Sequence, residues 1–320
     1  MMVGVKLARP DAGDIRDRGD SSGLLVLAGT PIGDVADAPP RLAEQLRTAE
    51  VIAAEDTRRL RRLTQELGVE PTGRILSYFE GNEAARTPEL VARLLDGAHV
   101  LLVTDAGMPS VSDPGYRLVA AAVEAGIRVT AVPGPSAVLT ALALSALPVD
   151  RFCFEGFPPR KAGERARTFA ALAAETRTMV FFEATHRITE TLRAMAEAFG
   201  AERPAAVCRE LTKTYEEVRR GPLGELATWS EDGVRGEITV VVSGAAPPSP
   251  RDYGVHALAD RVAAREEGGE HRKSAIAAVA AELGLPKRTV FDAVVAARAQ
   301  AEDQAEDQDE DLGEEHLDED

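Results

Sequence analysis

The sequence predicts an α/β protein of two α/β domains followed by a small helical unit resembling a helix-turn-helix. Three observations predict it. Short apolar runs alternate with segments of helical periodicity from Leu24 to about Gly244, the pattern of strands joined by crossover helices in a parallel sheet. Loops rich in glycine and proline follow several of those runs, which is where open α/β sheets bind ligands. A proline-rich break, GAAPPSPRDYG, then separates a segment with two apolar helical faces.

Residues 1–22 are polar and charged and are expected to be a disordered extension. The first series of strands is LLVLA (24–28), VIAA (51–54), RILS (74–77), HVLLV (99–103) and RVTAV (128–132). The second is RFCF (151–154), TMVFF (178–182), AAVC (205–208) and EITVVV (237–242). They divide the chain into domains at 23–135 and 136–244, joined near VPGPSA (132–137). Thr87-Pro88-Glu89 predicts a helix start, with an N-cap, a proline in the first turn and an acid after it; Asp113-Pro114 repeats that grammar. Gly126 and Gly200 stand where helices end in a left-handed residue.

A linker at 245–255 leads to the helical unit, 256–299. Ile276, Val279, Ala280 and Leu283 make one apolar face and Val290, Val294 and Val295 another, with a corner at Gly284-Leu285-Pro286. Its basic residues Arg272, Lys273, Lys287 and Arg288 suggest nucleic acid, with a purely structural helical hairpin as the rival.

The net charge of −16 is misleading as a total. Residues 301–320 hold 12 Asp and Glu and no Lys or Arg, as expected of a disordered acidic tail (300–320). The other 41 acids face 37 bases, so the body is near neutral and can present a basic surface. The N-terminus has no signal-peptide pattern, and the longest apolar stretch, AVLTALALSALPV (137–149), is too short to span a bilayer. Cys153 and Cys208 match no metal spacing and are expected as buried thiols in a reduced cytoplasm.

The chain lacks GxxxxGK[ST], a GxGxxG after the first run, HExxH, paired Cys/His and GxSxG. Ordinary P-loop, dinucleotide, metal and serine-nucleophile sites are thereby excluded. What remains is a set of loops: Thr30-Pro31-Ile32-Gly33, Asp105-Ala106-Gly107, Ser112-Asp113-Pro114-Gly115 and Pro133-Gly134-Pro135-Ser136-Ala137. Glycine admits close backbone approach and proline stiffens the path. The connection after Val103 is far longer than the two to six residues usual between strand and helix. Together these loops predict a small polar organic ligand, with Asp105 and Asp113 accepting hydrogen bonds. Charged segments also follow strands: Glu55-Asp56-Thr57-Arg58-Arg59, Pro159-Arg160-Lys161, Glu183-Ala184-Thr185-His186-Arg187 and Arg209-Glu210-Leu211-Thr212-Lys213. Their cations suit phosphate oxygens of a nucleic acid.

TPIGD, AEDTRR, DAGMPSVSDPGY, VPGPSAVLTAL, DRFCFEGFPPRK, RELTKTYEE and the helical unit follow one another between Leu24 and Arg298. In that order they resemble the tetrapyrrole-methylase superfamily. Within it they are most similar to the bacterial branch that methylates the ribose 2′-hydroxyl of cytidine 1402 in 16S ribosomal RNA. The resemblance implies a cleft between the two α/β domains that holds S-adenosylmethionine. It also implies a homodimer in the cytoplasm, with 16S rRNA or the small ribosomal subunit as partner and neither metal nor membrane. Cofactor contacts are then expected from Thr30, Pro31, Gly33, Asp105, Gly107, Ser112, Asp113, Pro135, Ser136, Ala137, Phe182, Leu211, Gly236 and Ile238. Met108 stands where the family usually has threonine, and Ala184-Thr185 replaces the more usual Ser-Pro before His186.

In-line attack of a ribose oxygen on a sulfonium methyl needs alignment, a destination for the hydroxyl proton and a cation near the developing charge. The candidates are Glu155, His186, Arg209, Glu210 and Lys213, with Glu210 equally readable as half of a structural ion pair. Arg58, Arg59, Arg160, Lys161, Arg187, Lys287 and Arg288 are the candidates for RNA phosphates. Three alternatives stay open: a porphyrin-type carbon methylase, which would need neither AEDTRR nor the helical unit, a non-enzymatic RNA-binding assembly factor, and a transcription regulator built on 271–298.

Overall fold

The computed structural model describes residues 23–246 and 254–314, with side chains described through residue 300. The expected extension (1–22), most of the linker and residues 315–320 lie outside the described residues. The described chain forms two compact units, the first carrying both sheets and the second made of Ala174–Thr176 and the chain from Gly244 onward.

The first sheet contains β1 (Leu24–Ala28), β2 (Val51–Ala54), β3 (Arg74–Ser77), β4 (His99–Val103) and β5 (Arg128–Val132). All pairs are parallel, in the order β3-β2-β4-β1-β5. Its central runs are apolar but for the buried His99, because both faces are covered. Leu24, Val26 and Ala28 pack with Leu42 and Leu46 of α1 (Pro40–Thr48) and Leu60 of α2 (Thr57–Glu66). Leu25, Val100 and Leu102 pack on the opposite face with Leu90 and Leu94 of α3 (Glu83–Leu95) and Leu118 of α4 (Tyr116–Glu124).

The second sheet contains β6 (Phe152–Gly156), β7 (Thr178–Glu183), β8 (Pro204–Arg209), β9 (Glu217–Pro222) and β10 (Ile238–Val242), in the order β6-β7-β10-β8-β9. Only β6 and β7 are parallel; β10 runs antiparallel between β7 and β8, and β8 turns directly back into β9. The parallel architecture expected from the alternation therefore holds for the first sheet alone. β9, EVRRGP, is absent from the sequence reading because it is charged and lies at an edge, where no apolar run is required. Phe169 of α6 (Ala162–Leu172), Leu192 and Met195 of α7 (Ile188–Phe199) and Leu226 of α8 (Leu223–Trp229) cover one face, while Ala141 and Leu142 of α5 (Ala137–Ser145) cover the other.

Two expected helix starts are corrected. Thr87 and Pro88 lie inside α3, which begins at Glu83 after Asn82. The Thr87 hydroxyl is buried, donating to Glu83 O at 2.7 Å and meeting Tyr78 Oη at 2.9 Å, so it serves packing rather than capping. Asp113 does not cap α4 either, because Gly115 holds that position with φ 143°. Its carboxylate is left to other uses. Gly126 and Gly200 do take positive φ just past their helices, as expected. Cys208 is buried and Cys153 half-buried, and neither is in a disulfide.

The C-terminal unit has three helices: α9 (Val255–Glu267), α10 (Arg272–Glu282) and α11 (Lys287–Glu314). Leu258 and Val262 pack with Ile276, Val279, Ala280, Val290 and Val294, while Val295, expected on that face, is exposed. The corner is at Gly284, φ 65°. α11 continues through residues 300–314, within the segment expected as a disordered tail; its alanines, glutamines and glutamates are good helix formers. Among the described residues no helix is long and apolar enough to cross a membrane.

Candidate active site

β1 and β4 are neighbours, yet the chain leaves β1 toward α1 on one face and leaves β4 toward α4 on the other. Adjacent strands whose connections diverge open a crevice at their carboxyl ends. The two loops are stitched across it: Thr30 N–H donates to Gly107 O at 2.9 Å, and Gly107 N–H returns a bond to Thr30 O at 3.1 Å. The Thr30 hydroxyl donates to Thr104 O. Gly107 needs glycine, with φ 78°, and Ser110 and Ser112 also take left-handed φ. That run of unusual backbone is why the loop after β4 is long: it must turn repeatedly to line the crevice.

The loop after β1 is squeezed between two others. A Cβ on Gly29 would meet Gly134 Cα at 2.6 Å, and one on Gly33 would meet Thr212 Oγ1 at 2.5 Å. Glycine lets the 29–34 turn lie against the loop after β5 and the 211–213 turn of the second sheet. Asp34 N–H donates to Thr212 Oγ1 at 3.1 Å, and Ile32 joins the core over β8 and β10. The two sheets thus share one site.

A cavity of about 430 Å³ lies there. Of the expected cofactor contacts, Gly107, Ser112, Asp113, Ser136, Ala137, Phe182, Leu211, Gly236 and Ile238 line it. Pro31, Gly33 and Asp105 line instead a neighbouring cavity of about 490 Å³. Thr30 is buried in the stitch between the loops, and Pro135 O lies 3.8 Å from where a Cβ on Gly107 would be. Ile32, Ala106 and Glu237 border both cavities.

Lys213 borders the 490 Å³ cavity. Its Nζ bonds Glu210 Oε1 and Glu237 Oε2, each at 2.9 Å, and Glu237 N–H donates to Glu210 Oε1 at 2.8 Å. Burial alone would lower the Lys213 pKa, but the two carboxylates carry it above the ordinary lysine value. Lys213 is therefore a permanent cation at neutral pH and not a proton acceptor. Glu210 is held low by Lys213 and by the Glu237 amide. It stands at φ 51° and Thr212 at φ 62°, so this turn is strained where it meets the cavity.

Acids gather on the first sheet's side. Asp105 Oδ1 accepts from Asp56 N–H at 3.2 Å, Asp105 N–H donates to Glu55 Oε2 at 3.1 Å, and Arg59 lies 3.4 Å from Asp105. Burial pushes the Asp113 carboxyl up to about 7, with Glu55 and Asp105 adding repulsion. Burial also raises Glu55 and Asp105. Among the described residues no His, Cys, Asp and Glu group could hold a metal. A confined apolar pocket edged by an unneutralised carboxylate suits an organic cation instead.

The remaining candidates are spread out. Arg209 pairs with Glu217 at 2.6 Å across β8 and β9. Glu155 is exposed on the edge strand β6, outside the cavities described here. His186, Arg160 and Arg187 border a third cavity. Arg58 pairs with Asp56 at 2.9 Å and Lys161 with Glu164 at 3.2 Å. Lys287 and Arg288 open α11 in the C-terminal unit, where Arg288 lies 3.8 Å from Asp292. The sequence reading missed Glu237 as the second partner of Lys213, and missed Phe157 and Val111 as lining residues. A carboxylate directly before the ITVVV run, at the mouth of a strand, is the signal that pointed to Glu237.

A family model described as tetrapyrrole (corrin/porphyrin) methylases matches residues 24–227. The chain is 51% identical over 281 residues to the "Ribosomal RNA small subunit methyltransferase I" of Mycobacterium tuberculosis (strain ATCC 25618 / H37Rv), covering 88% of this chain and 97% of that one. It is 42% identical over 228 residues to the protein of the same name in Escherichia coli O157:H7, covering 70% and 79%. A solved cobalt precorrin-4 methyltransferase of cobalamin biosynthesis superposes with a TM-score of 0.52 over 72% of this chain and 98% of that one, at 19% identity, which speaks to the fold. On its matched length and its two-sheet architecture, the chain belongs to the tetrapyrrole methylase family.

Proposed function

We propose that this chain transfers the methyl group of S-adenosylmethionine to the ribose 2′-hydroxyl of cytidine 1402 in the 16S rRNA of the small ribosomal subunit, acting in the cytoplasm as a homodimer. The observation that carries the reading is the pair of adjoining cavities, one mainly apolar with the half-buried Asp113 carboxylate and the other bordered by a charged lysine, in a chain half-identical to a small-subunit rRNA methyltransferase. Phe182, Leu211, Ile238 and Val138 offer an apolar wall for adenosine, and Ser112, Asp113 and Ser136 offer polar contacts. Bound there, S-adenosylmethionine supplies an electrophilic methyl on a cationic sulfur.

The protein's own work is alignment and charge. Lys213 steadies the negative charge that develops on the attacking ribose oxygen. Glu237 takes the hydroxyl proton in this reading, supported by its position bordering both cavities and bonding Lys213. The strained Glu210–Thr212 turn holds Lys213 in place.

The deciding experiment supplies methyl-labelled cofactor with unmodified small ribosomal subunits, protein-free 16S rRNA, DNA and a tetrapyrrole precursor. Label on a ribose of 16S rRNA is expected. Label on the tetrapyrrole, or on nothing, overturns the reading.

A pH dependence follows from Asp113. Its carboxyl titrates near 7, and a cationic ligand favours the ionised form. Cofactor affinity, read by calorimetry, should therefore strengthen as pH rises from about 6 to 8, approaching tenfold per unit at the low end. Asp113→Asn should flatten the profile. Without ligand the sign reverses: the folded value exceeds the ordinary 3.8, so the folded chain keeps the extra proton and stability declines as pH rises from the ordinary value toward about 7, levelling off above it.

A further inference from the structure

We infer that the cavity bounded by Phe157, Pro158, Pro159, Arg160, His186 and Arg187 holds a nucleotide flanking the acceptor, with its unpaired base stacked on Phe157 and a phosphate held by Arg160. The inference rests on the proposed function and names its second substrate subsite.

The cavity is large enough, about 770 Å³, and its charge is distinctive. The other cavities described around the site are bordered by carboxylates: Glu55, Asp56 and Asp105 in one, Asp113 and Glu183 in another, Glu80 and Glu83 in a third. The Phe157–Arg187 cavity is bordered by cations and by no carboxylate. A polyanion entering this side of the molecule meets least repulsion there. Phe157 is 58% exposed: its ring packs edge-on against Phe182 with centroids 5.6 Å apart, and the rest of it is open to a ligand. Aromatic rings beside arginines are the usual platform for unpaired bases.

The wall is built in advance of any ligand. Arg187 Nη2 donates to Pro158 O at 2.7 Å and Pro159 O at 3.2 Å, and lies 3.3 Å from Glu183 Oε2. The Glu183 carboxylate is fully buried and also accepts from the Thr191 hydroxyl and the Ala184 amide. Arg187 is thereby committed to positioning the proline turn. Arg160 is exposed, and its guanidinium has no ion pair among the described residues. The cavity also adjoins the proposed cofactor site, since Phe157 and Ala184 border both. In the antiparallel pair of β7 and β10, Ala184 follows Glu183 and Glu237 precedes its partner Ile238, so the lysine-bearing cavity and this one lie at the same end of the sheet.

The test uses the full chain with unmodified small ribosomal subunits, reading KM and kcat for methyl transfer and, independently of turnover, Kd by co-sedimentation. Arg160→Gln is expected to raise KM and Kd about tenfold with kcat within about twofold, and to reduce the slope of log Kd against log salt by about one. Phe157→Leu should raise Kd about tenfold, and Phe157→Trp should restore it, because tryptophan stacks and leucine does not. Cofactor Kd, measured alongside, separates this from damage to the shared wall. Wild-type Kd and salt slope in Arg160→Gln overturn the inference. So does full affinity in Phe157→Leu, which assigns the cavity to an apolar protein segment of the subunit. Intact subunit binding without methyl transfer by the wild-type chain overturns the proposed function, and the Kd shifts still decide this subsite.

Discussion

Lys213→Ala is expected to slow methyl transfer by about 100- to 1,000-fold while changing cofactor Kd less than about threefold. The magnitude is that of removing one preorganised charge-stabilising group from a reacting centre. The split follows from position: Lys213 borders the 490 Å³ cavity and is absent from the wall of the 430 Å³ cofactor cavity. Lys213→Arg should recover part of the rate, because the guanidinium keeps the charge but spreads it over a wider plane. The lysine is partly exposed, so loss of its two ion pairs costs little stability, and the melting temperature should move by no more than a few degrees. Single-turnover rates and calorimetry on the same preparation check both halves. Parallel loss of transfer and cofactor binding would remove Lys213 from catalysis and make it a support for the cofactor wall.

Gly29→Ala should be nearly as damaging by a different route. The added Cβ would lie 2.6 Å from Gly134 Cα, 2.8 Å from Gly134 N and 2.9 Å from Met108 Sδ. Two of these neighbours are backbone, so the loops after β1 and β5 must part. Overpacking of this kind costs about 1–3 kcal/mol, a fall in melting temperature of roughly 3–10 °C for a chain of this size. Because those loops carry Ile32 and Ser136–Val138 into the cofactor cavity, cofactor affinity should fall at least about tenfold. Gly126→Ala is the control: φ is 72° but nothing lies within 4 Å, so it carries backbone strain alone and should lower stability without touching cofactor affinity. Wild-type cofactor binding by Gly29→Ala would show that these loops do not hold the ligand.

Much of this was legible before any coordinates. The first sheet could be read strand by strand because each of its runs is mainly apolar, and the loops around Thr30, Gly107, Asp113 and Ser136 could be read because glycine and proline mark where backbone must bend. The second sheet could not. β9 carries Glu217, Arg219 and Arg220, and nothing local distinguishes it from a polar loop until β8 pairs with it. Thr87-Pro88 reads as a helix start by every local rule, yet the tertiary contact of Thr87 with Tyr78 draws it inside α3.

By itself, then, the sequence determined the alternation of elements, the positions of the glycine- and proline-rich turns and the helical C-terminal segment, because periodicity, glycine and proline act over a few neighbouring residues, while the order of its motifs carried the likeness to the family. Tertiary structure alone decided strand direction in the second sheet, the meeting of Lys213 with Glu237, the near-neutral titration of Asp113 beside Glu55 and Asp105, and which arginines are committed to the fold. Each of those depends on groups far apart in the chain being brought within a few ångströms. Charge and desolvation act through space, so their effects exist only once the loops of two sheets have closed on each other.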